Sequence, residues 1–375
     1  VNQTVESGKT LLVDGPASVR VVSGKAEVLG FPVKGPRRIV AREGKRLPFF
    51  VAETASFDIA LGENASVEEV DGNTIPPSWV ESAEALMGFQ KKPVIAMVVG
   101  KADSGKTSFC TYLINNLVSA KQKVAIIDGD LGQSDIGPPC TVAYAFITAP
   151  LTELYELKAE NAFFVGATSP SEALSKTIEG LALMKAEILY RTADFVVVNT
   201  DGWVEGEEAV KYKSQLAEKL EPHVVLCIQQ KDELEPLLAT LTKFRKIVTD
   251  SSSAAKQRSR EKRKNLREMS YAKYLADAKI KSLPLNQLAL EEKTALPIKQ
   301  GEGGGLLLGL YAAQRKFLGI GILREVDAVR KTLKVLTSVS AKPASVAFGK
   351  VRLDENLKEA PTFLGENGAA QQVKV

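Results

Sequence analysis

Val94-Ile-Ala-Met-Val-Val-Gly100-Lys-Ala-Asp103-Ser104-Gly105-Lys106-Thr107-Ser108 is the stretch on which the reading of this chain turns. An apolar run ends on Gly100, and a second glycine then opens a helix-like stretch, Lys106–Ala120. Strand, tight loop and helix start form the context that a Gly-x-x-x-x-Gly-Lys-Thr phosphate-binding loop requires. The glycines let backbone N–H groups wrap an anion, and the helix N-terminus adds a favourable dipole. Lys106 is expected to reach the terminal phosphates of a nucleotide, and the Thr107 hydroxyl to ligate Mg²⁺. Gly100, Asp103, Ser104, Gly105 and Ser108 complete the expected nucleotide-binding loop.

Outward from the loop, short apolar runs alternate with helical stretches. Val124–Ile127, Ala162–Val165, Phe195–Val198, Val224–Ile228 and Ile247–Val248 read as buried strands; Ser171–Tyr190 and Glu207–Leu220 read as helices. This is the βαβ rhythm of a mostly parallel sheet covered on both faces. Residues 1–80 instead give short apolar pairs punctuated by Gly and Pro, and after about residue 285 Gly-rich, β-branched segments return. The expected fold is therefore α/β: a central P-loop NTPase parallel sheet (81–285) flanked by two small mainly-β domains (1–80 and 286–375). The tail Gly365–Val375 reads as frayed.

The second strand ends in Asp128-Gly-Asp130, two acids at the carboxyl edge, where ligands sit in such sheets. One carboxylate suits the metal or its water, and Asp128 is the metal candidate. The other suits proton transfer from an attacking hydroxyl. Trp203 follows a buried strand in a polar Asp-Gly turn, where it can stack on a base or fold back as a packing anchor.

Net charge is +4, but eight Lys or Arg against two Glu fall between Lys256 and Lys273. On composition alone such a run is usually a solvated helix face. Arg263 and Arg267 share a helical face; Arg258 can join them only from a hinge before the helix. The single His223 opens an apolar run and reads as a strand-edge residue, which leaves no material for a Ser/His/Asp or zinc site. Three cysteines without metal spacing fit a reducing interior. No apolar stretch reaches the roughly 20 residues of a membrane span, and the start lacks a secretory pattern. A cytoplasmic location without membrane contact is expected, or a nuclear one for a eukaryotic chain.

Asp130-Leu-Gly-Gln133 and Ile136-Gly-Pro-Pro139 resemble the polynucleotide 5′-hydroxyl kinase family, which includes the kinase subunit of the eukaryotic pre-mRNA cleavage factor, its archaeal relatives and a ribosomal-RNA-processing kinase. Gly166-Ala-Thr168-Ser-Pro170, Asn199-Thr-Asp-Gly202-Trp203-Val and Arg258-Ser-Arg-Glu-Lys-Arg263, with Arg267 and Tyr274 beyond, match in the same order. The resemblance implies that ATP or GTP, with Mg²⁺, phosphorylates RNA bearing a 5′-hydroxyl end, with DNA ends left open, alongside RNA-processing protein partners. It implies Asp130 as general base, Gln133 on the RNA end or the metal water, and Thr168 and Trp203 clasping the terminal nucleotide. Arg258 and Arg263 would close over the phosphoryl group from a lid at about 254–277, and Arg46 would contact the nucleotide. The family's acidic contact near the chain start falls about at Thr10. Two rival readings stay open: a non-catalytic ATP-binding scaffold, and a dimeric ATPase switch using Lys101.

Overall fold

The structure is a computed structural model and describes residues 1–360 apart from Lys34, Pro36, 292–303 and Ala328. The expected frayed tail lies outside the described residues. Three sheets follow one another along the chain. The central one runs, edge to edge, Asn161–Phe164, Thr141–Ile147, Val124–Gly129, Phe195–Thr200, Val94–Gly100, Val224–Gln229, Lys246–Asp250. Its last five strands are mutually parallel, and the seven residues of Val94–Gly100 are all buried. Strands buried on both faces need continuous apolar sequence, which is why these runs do not alternate. The chain is thus an α/β protein with a P-loop sheet between two mainly-β sheets.

One strand of this sheet is not expected from the sequence. Thr141–Ile147 returns antiparallel to Val124–Gly129, and the edge strand Asn161–Phe164, antiparallel to it in turn, keeps the direction of the five parallel strands. The connection between the first two is a loop rather than a helix, and a loop permits an antiparallel return where a helical crossover would not.

The N-terminal sheet differs from the short strands expected. Ala17–Val28 and Arg46–Leu61 are long strands, paired from Ala17↔Leu61 to Val28↔Phe49. Register shifts between Val21 and Ala26 bend the ladder, and Gly24 takes a φ of +85° within it. Ser23-Gly24, one of the glycine signals that punctuate this region, is a bulge within one strand. This sheet ends at Asp71, and the helix Pro77–Met87 already covers the central sheet before residue 81. The third sheet likewise begins at Lys279, ahead of residue 286.

The sheets share cores. One apolar cluster runs from Leu11 and Phe49 through the fully buried Trp79 and Phe109 to Ala96 and Val98. The Trp79 indole N–H donates to the Asp250 carbonyl at 2.8 Å. Another joins Phe164 and Tyr271 to Leu307 and Ile322 of the third sheet, where the Phe164 N–H donates to the Tyr311 hydroxyl. His223 is structural, as its place at a strand edge suggested: its Nδ1 accepts the Ile95 N–H. The three cysteines are free and buried.

The loop after Val124–Gly129 is pinned to the N-terminal sheet by charge. Asp135 accepts from Arg42 and Lys45, both at 2.7 Å, and Arg42 also reaches Glu153. Burial disfavours the ionised carboxylate, yet Lys45 and Arg42 overcome it and hold the Asp135 carboxyl at about 2. A depressed acid contributes stability that is present above its unfolded value near 3.8 and lost as pH falls through about 2. Melting temperature is expected to fall across that window, and Asp135→Asn to remove roughly 2 kcal/mol at neutral pH while flattening the acid limb. A neutral-pH stability equal to wild type would show that the junction is not held by this carboxylate.

Candidate active site

The phosphate loop begins where Val94–Gly100 leaves the sheet and ends where Gly105, at φ +92°, turns the chain into the helix Lys106–Ser119. A Cβ at Gly105 would be strained by that φ, so glycine is required there. Lys106 is almost fully buried, and its Nζ donates to the Lys101 carbonyl at 2.8 Å, curling over the loop. Burial lowers the pKa of this ammonium, with Asp130 opposing the shift.

The loop lines a cavity of about 770 Å³ at the carboxyl edge of the sheet. Around it stand Asp103, Gly105, Lys106, Thr107, Ser108, Asp130, Gln133, Thr168, Trp203, Arg46, Arg258 and Arg263, drawn from segments far apart in sequence. Gly100, Ser104 and Asp128 do not line it. Ser104 is turned inward, its hydroxyl buried and without a partner among the described residues.

The two acids at the strand end have separate environments. Asp128 is wholly buried, and its Oδ2 accepts the N–H groups of Asp135 and Ile136 and the Ser134 hydroxyl. Burial, then Asp135 and Asp130, push its carboxyl up to about 7. Its Oδ1 accepts from the Asn199 amide, which also reaches the Thr107 hydroxyl at 3.4 Å. Asp128 therefore sits behind Thr107 and organises the loop. Asp130 faces the cavity: Oδ1 accepts the Gly132 and Gln133 N–H groups, leaving Oδ2 without a protein donor among the described residues. Burial raises its pKa against the pull of Lys106. A half-buried, oriented carboxylate with one free oxygen has the geometry of a proton acceptor.

The basic stretch, the expected lid, lies along the cavity wall. Its helix spans Arg260–Tyr274, and Ser259 caps it by accepting the Lys262 N–H. Arg258 therefore lies in the hinge, the placement needed for it to join Arg263. Both meet one carboxylate: Asp103 Oδ2 accepts the Arg258 backbone N–H at 2.9 Å and Arg263 Nη1 at 2.8 Å, with Arg258 Nη1 at 3.7 Å from Oδ1. The Gln133 side chain donates to the Arg263 carbonyl, so it holds the lid rather than pointing freely into the cavity. Arg267, also on the cavity wall, makes a bidentate pair with Glu359 of the C-terminal region.

Arg46 pairs bidentately with Asp14, directly opposite it across two strands, and Lys256 of the lid reaches the same carboxylate. Arg46 and Lys256 overcome the burial that opposes ionisation of Asp14 and hold its carboxyl at about 2. The acid beside Arg46 is therefore Asp14. Thr10 is buried and donates to the Gly72 carbonyl.

Trp203 is packed on one side and open to the cavity on the other. Its half-buried ring lines the cavity and stacks on buried Tyr212, centroids 5.7 Å apart at 23°. Its backbone N–H donates to Oδ1 of Asp201, whose other oxygen takes Tyr212 Oη and Lys213 Nζ, both at 2.8 Å. Asp201, Tyr212, Lys213 and Asn199 carried no assigned role in the sequence. Asp201 lay in plain view inside Asn-Thr-Asp-Gly-Trp; its partners looked like ordinary members of an amphipathic helix. Lys101 lies on the surface, paired with Glu205 at 2.6 Å.

Residues 100–277 match the family model of the mRNA cleavage and polyadenylation factor CLP1 P-loop. The chain is 28% identical over 348 residues to a polyribonucleotide 5′-hydroxyl-kinase of Pyrococcus abyssi, covering 79% of this chain and 97% of that protein. It is 27% identical over 341 residues to one of Methanocaldococcus jannaschii, covering 76% and 94%. A Xenopus tropicalis polyribonucleotide 5′-hydroxyl-kinase Clp1 is 26% identical over 288 residues, covering 72% of this chain and 65% of that protein. In fold, the structure of the wild-type Clp1p–Pcf11p complex is similar with a TM-score of 0.72 at 14% identity, covering 94% of this chain and 97% of that one.

The Asp103 contacts make the lid testable without any substrate. Hydrogen bonds to charged groups contribute roughly 1.5–3 kcal/mol each, so Asp103→Ala should open the lid measurably more often. Amide hydrogen exchange of Arg260–Tyr274 is expected to quicken about tenfold or more in this variant, with the sheet unaffected. Unchanged exchange would mean that the flanking domains alone hold the lid.

Proposed function

We propose that this chain, whose central domain belongs to the CLP1 P-loop family, is a polyribonucleotide 5′-hydroxyl-kinase that transfers the γ-phosphoryl group of ATP or GTP to the 5′-hydroxyl of RNA. One observation carries the reading: a single cavity joins the phosphate loop, an oriented free carboxylate oxygen at Asp130, the Thr168–Trp203 wall and two lid arginines. A nucleotidase needs the loop; it has no use for an aromatic platform on the acceptor side.

The nucleotide phosphates would lie along the loop N–H groups with Lys106 over the terminal pair. The residues present fit magnesium: the Thr107 hydroxyl lines the cavity, and Asn199, whose Nδ2 reaches that hydroxyl, has a buried Oδ1 without a partner among the described residues. Thr107 would hold the ion together with phosphate oxygens and water, its usual surroundings, while Asp128 acts through Asn199 from behind. When bound, the ion neutralises charge on the phosphate oxygens. Asp130 Oδ2 accepts the proton of the RNA 5′-hydroxyl as that oxygen bonds to the γ-phosphorus; the bond from phosphorus to the bridging oxygen breaks and the nucleoside diphosphate leaves. Arg258 and Arg263 exchange Asp103 for the transferring group, where arginine is worth several orders of magnitude in rate. Thr168 and Trp203 hold the terminal nucleotide, and Arg46 with Asp14 and Lys256 flanks the nucleotide side.

Protein partners in RNA processing belong to the same proposal, as does a cytoplasmic location, where the free cysteines stay reduced. Lys101 is engaged with Glu205 of its own chain, which gives no support to a switch that reaches across a dimer.

Incubation with γ-labelled ATP and a 5′-hydroxyl oligoribonucleotide is expected to label the oligonucleotide, and a 5′-phosphorylated control to stay unlabelled. Label in free phosphate alone, or none released at all, contradicts the proposal. Asp130→Asn should cut transfer by about 10²–10⁴ with nucleotide affinity within a few-fold of wild type. Near-normal transfer by that variant would remove Asp130 as the base.

A further inference from the structure

We infer that Asp201, Lys213 and Tyr212 form one positioning unit that holds the Trp203 ring and the Gly202 backbone against the phosphate loop and so sets the affinity for the RNA acceptor. This deepens the kinase reading and rests on it for the identity of the acceptor.

Every oxygen of the Asp201 side chain is engaged: Oδ1 by the Trp203 N–H at 3.0 Å, Oδ2 by Lys213 Nζ and Tyr212 Oη. Lys213 is 0% exposed and also donates to the Asp201 carbonyl at 2.9 Å. A buried ion pair loses so much hydration that apolar residues of similar volume are often at least as stabilising. Stability alone therefore does not account for a lysine here, whereas orientation does. Three donors converging on one carboxylate fix the backbone of the turn and the ring beneath Trp203 together.

The turn in turn fixes the loop. A Cβ at Gly202 would lie 2.6 Å from both the Cα and the N of Ala102, so the two backbones are in direct contact. Displacing the turn moves the wall of the acceptor site relative to the phosphate loop, and transfer tolerates little misalignment. Lys213 and Tyr212 do not line the cavity, so their influence passes through Asp201 and Trp203.

The chain has two tryptophans, and Trp79 is 0% exposed with its indole N–H bonded. Trp79 nevertheless comes within 4.0 Å of where a Cβ on Gly105 would lie, so the Trp203 signal is isolated as the difference from a Trp203→Phe chain. The full chain is compared with Lys213→Met, which keeps the volume and removes the charge, and with Tyr212→Phe, which keeps the ring and removes one hydroxyl. In both variants, confirmed as folded by melting, the emission of the free protein should shift and acrylamide quenching should increase. KM for a 5′-hydroxyl oligoribonucleotide should rise about tenfold, in line with loss of a base-stacking platform, with KM for ATP within twofold. Tyr212→Phe should be the milder of the two. Should Lys213→Met not fold, Tyr212→Phe decides alone.

Folded variants with unchanged emission and unchanged RNA KM overturn the inference, as does a parallel rise of both KM values, which would mark general loosening. The emission measurement needs no substrate, so it tests the positioning unit independently of the reaction. Absence of RNA labelling by the wild-type chain counts against the kinase reading alone, because the emission result stands without it.

Discussion

The Asp103 carboxylate is the meeting point on which the arrangement of this molecule depends. It projects from the phosphate loop at a residue with φ +60° and receives the Arg258 backbone and the Arg263 guanidinium from a segment more than 150 residues away. A carboxylate and a phosphoryl group present similar oxygens to a guanidinium. The lid arginines are thus already gathered beside the loop, paired with an anion of the protein itself, close to where a transferred phosphoryl would pass. In the proposed reaction they exchange one anion for another beside the loop, and low reorganisation is what makes such charge stabilisation effective.

The flanking sheets keep that lid in place. On the N-terminal side Lys262 pairs with Glu43, Arg258 Nε donates to the Gly44 carbonyl, and Lys256 reaches Asp14. On the C-terminal side Arg267 grips Glu359, whose own N–H donates to buried Glu268 of the same helix. The lid helix contributes few buried residues of its own, Glu268 and Tyr271, so it depends on these outside contacts. The continuous core through Trp79 and the Tyr311–Phe164 contact seat the two β sheets firmly enough to serve as anchors. A three-sheet architecture is a means of holding one cationic helix over one loop.

How much of this could be read in the residues depended on range. Loop, strand and helix at Val94–Ser119 are local, and so is the period of the helices; both were legible. Asp130 and the lid arginines were legible as chemistry, and the Ser259 cap supplied the hinge that their spacing demanded. Pairings across the sheet were not. Nothing local places Asp14 beside Arg46; the register of Lys9–Asp14 against Arg46–Leu61 does. The bent strand at Ser23–Gly24 read as two because a bulge and a turn use the same residues. Lys213 was hidden for a related reason: a lysine in an amphipathic helix looks solvated until the fold brings Asp201 to it.

Which anion the lid arginines face when both substrates are present decides whether the lid works as described. A crystal structure with Mg²⁺, a non-hydrolysable ATP analogue and a 5′-hydroxyl dinucleotide measures this directly. The expected result has Arg263 transferred from Asp103 to the γ-phosphate, the 5′-oxygen within about 3.2 Å of Asp130 Oδ2, and the terminal base against Trp203. Arginines still on Asp103, with the dinucleotide bound outside the cavity, would contradict it.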